Sequence, residues 1–315
     1  MDVLSDVVAV TRTGRPRAAL VRWHAPWGQE FSSVPGAAGF QVVLRGSCWL
    51  LPADTEPVRL GTGDVVFLPH GTGHILTDSP ETPAVAPAPA CGPDQPEPYA
   101  AYASDSVDRS GDGGPVTVLL CGAYQLDPSR AHPLLLSLPD LIHLPAHPGR
   151  RPELGSAVHL LAAELETPSL GTDAAVPALL DALLLYILRI WFDERPLRGD
   201  HTTGWAAALN DPPVTAALHA IHRDLAAPWT VVKLAAEAGL SRAPFAKRFA
   251  RLVGQPPLTY LTWWRMTTAA RLLRTSDAPL RTVSAHVGYT SEFAFANAFK
   301  RAHGIPPGAY RRQGL

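Results

Sequence analysis

One short pattern is written twice in the last third of this 315-residue chain. The first copy is Val231-Val-Lys-Leu-Ala-Ala-Glu-Ala-Gly-Leu-Ser241, followed by Arg242-Ala-Pro-Phe-Ala-Lys-Arg-Phe249. The second is Leu280-Arg-Thr-Val-Ser-Ala-His-Val-Gly-Tyr-Thr-Ser291, followed by Glu292-Phe-Ala-Phe-Ala-Asn-Ala-Phe299. Each copy reads as a short apolar helix, a glycine turn, a serine placed to cap, and a second helix. Gly239 and Gly288 allow the left-handed backbone of a tight inter-helix turn. Ser241 and Ser291 stand where a side-chain oxygen can cap the helix that follows. Phe245 with Phe249, and Phe295 with Phe299, lie four residues apart and so share one helix face. This is a helix-turn-helix pattern in tandem, and it predicts a reader of double-stranded DNA.

Charge divides along the same line. Residues 205–315 carry 14 Lys and Arg against 5 Asp and Glu, while residues 1–204 carry 13 against 23. The overall balance of −1 therefore hides a basic C-terminal region behind an acidic one, the arrangement expected when one part meets phosphate. On each second helix, positions facing away from the Phe pair are the candidates for the major groove. They are Arg242, Ala243, Ala246 and Lys247 in the first reader, and Glu292, Phe293, Ala296 and Asn297 in the second. Lys247 suits guanine acceptors, Asn297 suits a bidentate pair with adenine, and Phe293 or the alanines suit a thymine methyl. Arg248, Arg251, Lys300 and Arg301 read as phosphate clamps, which position without reading sequence. Residues 258–274 form a strongly periodic helix that can hold the readers apart; on one DNA face the spacing is about 34 Å. Pro244 sits in the first turn of the first reading helix, where proline is tolerated. The small Ala243 and Ala246 shift sequence reading toward the second reader or toward DNA shape.

The first half is built differently. Residues 18–23, 40–45, 47–51, 65–68 and 117–124 are short apolar runs separated by Gly, Pro and Asp, which predicts strands of a small barrel or sandwich. Seven prolines between 79 and 98 interrupt any strand ladder there. From about residue 153 the period becomes helical, and residues 153–166 and 173–194 read as a helical hairpin. The second of these carries two apolar stripes: Leu179, Leu183, Tyr186, Ile187 and Ile190, and Leu180, Leu184, Leu188 and Trp191. Packing on both sides within the chain and a homodimer seam both account for them. The expected domains are 1–196, with strands to about 150 and the hairpin at 153–195, a linker at 197–204, and 205–315.

The segments Trp229-Thr-Val, Ala238-Gly-Leu-Ser, Trp264-Arg-Met, Val287-Gly-Tyr and Gly304-Ile-Pro-Pro-Gly-Ala-Tyr-Arg311 resemble the AraC/XylS family of bacterial transcription regulators. The resemblance covers residues 206–312 and implies two helix-turn-helix subdomains that bind promoter DNA. Gly63-Asp-Val-Val-Phe-Leu-Pro-His-Gly-Thr-Gly-His74 is similar to the second cupin motif, G-x5-P-x-G-x-x-H. That resemblance covers about residues 3–125 and implies a cupin-type sensor domain.

The fold class expected is thus α+β: a cupin-like β-barrel with a helical hairpin, then an all-α tandem helix-turn-helix domain. A cupin metal site also needs the first motif's histidines and glutamate, and the matching stretch near Pro35 offers Gln41 instead. His70, His74 and Cys91 remain the candidate effector or metal residues, and imidazole with thiolate would suit a divalent or copper-type metal. Cys121 reads as an inert core thiol, and Cys91, set among prolines, as an accessible one. With three cysteines and no leader-like N-terminus, reduced cytoplasm is the expected compartment. Expected partners are an effector, a second copy of the chain and RNA polymerase, with no membrane. The rival reading is a metal-dependent cupin enzyme fused to a DNA-binding tail.

Overall fold

The computed structural model describes residues 3–34, 36–53, 55–85, 106–109, 114–126, 132–146, 151–194 and 204–313. Helix α1 (Val3–Thr11) runs into strand β1 (Arg12–His24), followed by β2 (Gly28–Phe31), β3 (Ala37–Arg45) and β4 (Ser47–Pro52). Next come β5 (Val58–Gly61), β6 (Val65–Leu68), β7 (His74–Thr77), β8 (Ser106–Arg109) and β9 (Val116–Leu126). A single turn, α2 (Pro133–Leu136), and β10 (Ile142–Leu144) lead to the hairpin α3 (Pro152–Glu166) and α4 (Thr172–Glu194). The remainder is helical: α5 (Trp205–Leu209), α6 (Pro212–Arg223), α7 (Val231–Glu237), α8 (Arg242–Val253), α9 (Pro257–Thr275), α10 (Leu280–His286), α11 (Glu292–His303) and α12 (Pro307–Gln313).

These elements form two compact units. A sheet unit comprises Arg12–Ala131 and Leu138–Glu194; a helical unit comprises Met1–Thr11, His132–Ser137 and Arg195–Leu315. The sequence reading placed all of 1–196 in one domain, so the first eleven residues and the segment around α2 are reassigned to the helical unit. The reason is local: both pieces carry apolar and polar groups that are buried against α6 and α9, as described below. The linker expected at 197–204 lies outside the described residues except for Gly204, as does Cys91.

The sheet unit holds two sheets, with strand orders β10-β6-β3-β9-β1-β8 and β2-β7-β4-β5. Of the barrel or sandwich expected from sequence, the cupin-like unit takes the form of two facing sheets that do not close into a barrel. Side chains alternate as a pleated strand requires. Ala19, Val21 and Trp23 of β1, Val43 of β3, Val66 and Leu68 of β6, and Leu119 and Cys121 of β9 face Cys48, Leu50, Leu60 and Leu76 of the smaller sheet. The opposite parity is buried too: Ala18, Leu20, Phe40, Val42, Val65, Phe67, Leu120 and Tyr124. That second face lies under the hairpin, where the Tyr124 hydroxyl donates to Leu180 O at 2.5 Å. Burial on both faces explains why β6 is an unbroken apolar run, Val65–Leu68, with no polar alternation. On α4, Leu180, Leu183, Leu184, Ile187 and Leu188 are buried, and Leu179, Tyr186 and Ile190 are half-buried. Length and composition alone would let α4 cross a membrane; its buried stripe is instead spent inside the sheet unit.

In the helical unit the two copies of the repeat close their turns with nearly identical bonds. Gly239 N donates to Ala236 O and Gly288 N to Ala285 O, each at 3.0 Å; Leu240 N to Ala235 O and Tyr289 N to Ser284 O, each at 2.9 Å. Both glycines are left-handed, with φ of 64° and 78°. Their surroundings differ. A methyl at Gly239 would meet nothing within 4 Å, whereas one at Gly288 would lie 2.8 Å from Ala226 O and 2.6 Å from Arg265 Nη2. Arg265 is pinned there by bonds to Leu225 O and Ala227 O, so it cannot yield freely. Gly239→Ala should therefore lose about 1–2 kcal/mol, the left-handed backbone cost alone, and Gly288→Ala distinctly more. Urea unfolding of the two variants checks this, and equal losses would contradict it.

Candidate nucleic-acid interface

One helix of each reader carries a side-chain cap. Thr230 accepts from Lys233 N at 3.2 Å at the start of α7, and Ser291 accepts from Ala294 N at 3.3 Å at the start of α11. Ser241 holds the same position before α8 with an extended backbone, yet its hydroxyl makes no capping bond. The repeat is thus closer in backbone than in side-chain chemistry. Phe245, Phe249, Phe295 and Phe299 are fully buried, with ring centroids 5.6 and 5.7 Å apart within the pairs. Fixing those faces inward turns the opposite faces out. Arg242, Ala243 and Lys247 are exposed and Ala246 is half-buried on α8; Glu292, Phe293 and Asn297 are exposed and Ala296 half-buried on α11.

Phe293 is 78% exposed, a large apolar ring that no core claims. Beside it a concavity of 890 Å³ opens at the start of α11, edged by Arg281, Thr290, Ser291 and Phe293. Arg251, Lys300 and Arg301 are exposed, as phosphate clamps must be. Arg248 is different. Its guanidinium pairs with Asp211 at 2.5 Å through Nη2 and 2.8 Å through Nε, and the same carboxylate caps α6 by accepting from Val214 N at 3.1 Å. Arg248 therefore braces α8 against the start of α6 and offers phosphate only what that bond leaves over.

Behind the readers lies a polar chain that the sequence did not disclose. His132, His222, Tyr260 and Asp6 are all buried in the helical unit. The order of protons follows from one fixed donor. Leu134 N can only donate, and it does so to His132 Nδ1 at 3.0 Å. His132 Nε2 must then carry the hydrogen and donate to the Tyr260 hydroxyl at 3.1 Å. Tyr260 in turn donates to His222 Nε2 at 2.8 Å, and His222 Nδ1 donates to Asp6 Oδ2 at 3.0 Å. This order leaves His132 a neutral imidazole and gives each member of the chain a partner. Rings of Trp205, Trp263 and Trp264 pack around His132 at 4.7, 5.1 and 6.0 Å. The chain is tied to the DNA side as well, because Phe249 of α8 packs on the Tyr260 ring at 6.0 Å. Burial holds the His132 pKa well below its ordinary 6.5, with His222 adding to the effect, and raises that of Tyr260. Four residues scattered over 254 positions of sequence give no shared periodicity to detect; the one visible hint was Tyr260, set between Thr259 and Leu261 on an otherwise apolar face.

In the sheet unit His70 and His74, the described members of the expected effector set, each bond to a backbone carbonyl. His70 Nε2 bonds Leu138 O at 2.9 Å, and His74 Nδ1 bonds Thr72 O at 3.3 Å while its ring stacks on Phe31 at 4.8 Å. Burial lowers the His74 pKa to about 4, so its imidazole is neutral. Its Nε2 and the Gln41 Oε1 are both buried without a hydrogen-bond partner. A cupin metal would require more donors than these. Cys48 and Cys121, the nearby thiols, are raised to about 12 by burial and stay protonated. No three His, Cys, Asp or Glu among the described residues come together as a metal site. The donor set does not fit a cupin metal. Cys121 is the inert core thiol its sequence context suggested.

Comparison with known proteins agrees with this geometry. A family model described as cupin matches residues 2–193, and one described as a helix-turn-helix domain matches residues 234–313. A protein of Streptomyces lividans described as an AraC-like transcription regulator is 36% identical over 99% of this chain and 98% of its own. A regulator of the same description from Streptomyces antibioticus is 35% identical over 99% of both chains. The HTH-type transcriptional regulator AlkR of Acinetobacter baylyi is 27% identical over 99% of this chain and 100% of its own.

The buried chain makes two measurable demands. Tyr260→Phe strands the His132 hydrogen and the His222 lone pair, and should cost about 1–3 kcal/mol in urea unfolding, the usual range for buried groups left unpaired. The pH dependence has a definite sign. An unfolded His132 takes up a proton near 6.5, while the folded one resists until far lower pH, so the folded state binds fewer protons between the two. Its stabilising effect is complete above 6.5 and fades as the pH falls below that value. A His132→Gln variant should show a flatter loss of stability between pH 7 and pH 5 than the parent (an interval of about two units around the histidine range); an unchanged slope would exclude this role.

Proposed function

The chain belongs to the AraC family of transcription regulators, and we propose that it reads promoter DNA through α8 and α11 in consecutive major-groove turns, under control of an effector held by the sheet unit. DNA-binding regulation is common to the family; the residue roles and the signal are this chain's own. The observation that carries the reading is the pairing of a twice-closed glycine turn with a reading helix whose outer face is free of core duties. The two readers are unequal in this account. On α8 the outward groups are Arg242, Lys247 and small alanines, suited to phosphate and groove shape; on α11, Phe293 and Asn297 supply base-edge chemistry. Both belong to one compact unit in which α9 packs against the helices of each reader. A homodimer would use the half-buried Leu179, Tyr186 and Ile190 of α4. RNA polymerase is the partner through which bound protein would act, the cytoplasm is the compartment, and the reading assigns no catalysis.

Genome-wide mapping of bound sites recovers the operator and opens the test. Asn297→Ala should relax discrimination at one base position at a cost of about 1–3 kcal/mol, while Lys300→Ala should weaken all sequences alike and lower the salt slope by about 1. Undiminished operator occupancy after Lys247, Phe293 and Asn297 are all changed to alanine would remove the reading.

A further inference from the structure

The facing sides of the two sheets share an apolar cluster, and the outer face of the larger sheet is not fully covered. Between α3 and the strands beneath it lies a cavity of 560 Å³, within the range of about 300–1,000 Å³ typical of small-molecule sites. Most of its wall is apolar, with Val42 and Leu44 of β3, Val65 of β6, Leu144 of β10 and Val158 of α3, and Thr62 and the exposed His159 are its uncharged or titratable polar members.

Two further observations bear on what it holds. The first is Gly155, which lines the cavity from within α3. A methyl at that position would meet nothing within 4 Å, so packing does not require glycine there. A glycine inside a helix costs roughly 0.5–1 kcal/mol relative to alanine. Gly155 is exposed, and its missing side chain leaves the mouth of the cavity open. The second is the state of the charges at the rim. Arg151 is engaged by Glu194 through Nε at 2.9 Å and through Nη2, and by Pro145 O at 3.3 Å. Glu166 at the other end is paired with Arg22 at 2.5 Å. Arg151 and Glu166, the arginine and the carboxylate that line it, are thus both paired within the sheet unit.

We propose that this cavity, lying outside the cupin-type interior, is the effector site, and that it takes one uncharged, mainly apolar small molecule. The assignment rests on the reading of the sheet unit as a sensor. An occupant would press on α3 beside Arg151, whose partner Glu194 is the last residue of α4 before the chain passes to the helical unit. The Arg151 pair is therefore the first bond an occupant would disturb.

The neutral fluorescent probe N-phenyl-1-naphthylamine, titrated into the full chain, tests the site. Saturable binding of one probe per chain is expected. Gly155→Leu and Ala162→Leu both fill the cavity from the helix side, and each should weaken binding about tenfold or more while the helix remains a good one. The anionic relative 1-anilinonaphthalene-8-sulfonate should bind less well than the neutral probe. Equal affinity in both filled variants, preference for the anion, or binding that never saturates would overturn the assignment. The DNA reading is separated by gel mobility of the recovered operator. If the probe binds and is lost in the filled variants but leaves operator binding unchanged, the sensing role falls and the ligand chemistry stands.

Discussion

The hydroxyl of Tyr260 is the group on which the helical unit is ordered. It accepts from one buried imidazole and donates to another, and neither could be left unpaired without the full desolvation cost of a buried polar group. Apolar packing around it, with three tryptophans and Phe249, supplies most of the burial but tolerates small slips. The hydrogen bonds do not. They fix α6, α9, α1 and the N-cap of α2 to one another at single positions, with the His132 end of the proton order set by Leu134 N. Since α9 also packs against the helices of both readers, the accuracy with which α8 and α11 present their outer faces is inherited from this centre.

The sheet unit solves a different problem. Its larger sheet is buried on both faces, by the smaller sheet on one and by the hairpin on the other. The interior of the sandwich is consumed by Trp23, Trp27 and a ring of aliphatic side chains, with the two tryptophans stacked at 4.9 Å. Cupin proteins that hold a metal need several converging polar donors, and among the described residues Gln41 and His74 offer one buried, unpartnered atom each while no metal-binding cluster forms. The room for a small molecule lies instead where the helical cover is thin, and this follows from small residues on α3 at Gly155, Ala162 and Ala163.

Much of this was legible in the sequence, for reasons that differ by element. The tandem readers were, because a glycine that must be left-handed and two phenylalanines that must be buried leave fixed spacings. Strands β1, β3, β4, β6 and β9 and helices α3, α4 and α9 were also found, since each is long or apolar enough to show its period. The cupin-like sheet unit was legible too, although strand runs reveal how many strands exist and not whether the two sheets join at their edges, which here they do not. The packing of α1 and α2 with the helical unit was not legible for a similar reason: their partners, Tyr260 and His222, are more than a hundred residues away. Arg248 looked like its neighbours Lys247 and Arg251, and only the position of Asp211 distinguishes it. A single sequence records periodicity well and long-range pairing of single polar groups hardly at all.

The reassignment of α1 bears on how such a protein can be divided. A fragment that starts at Gly204 keeps both readers and all of α9, yet it leaves behind Asp6 and His132. His222 then has no carboxylate to receive its hydrogen, and the edge of the indole cluster formed by Trp205, Trp263 and Trp264 is stripped of its imidazole lid. The amino terminus, which sequence order places farthest from the DNA-reading helices, is in physical terms part of their foundation.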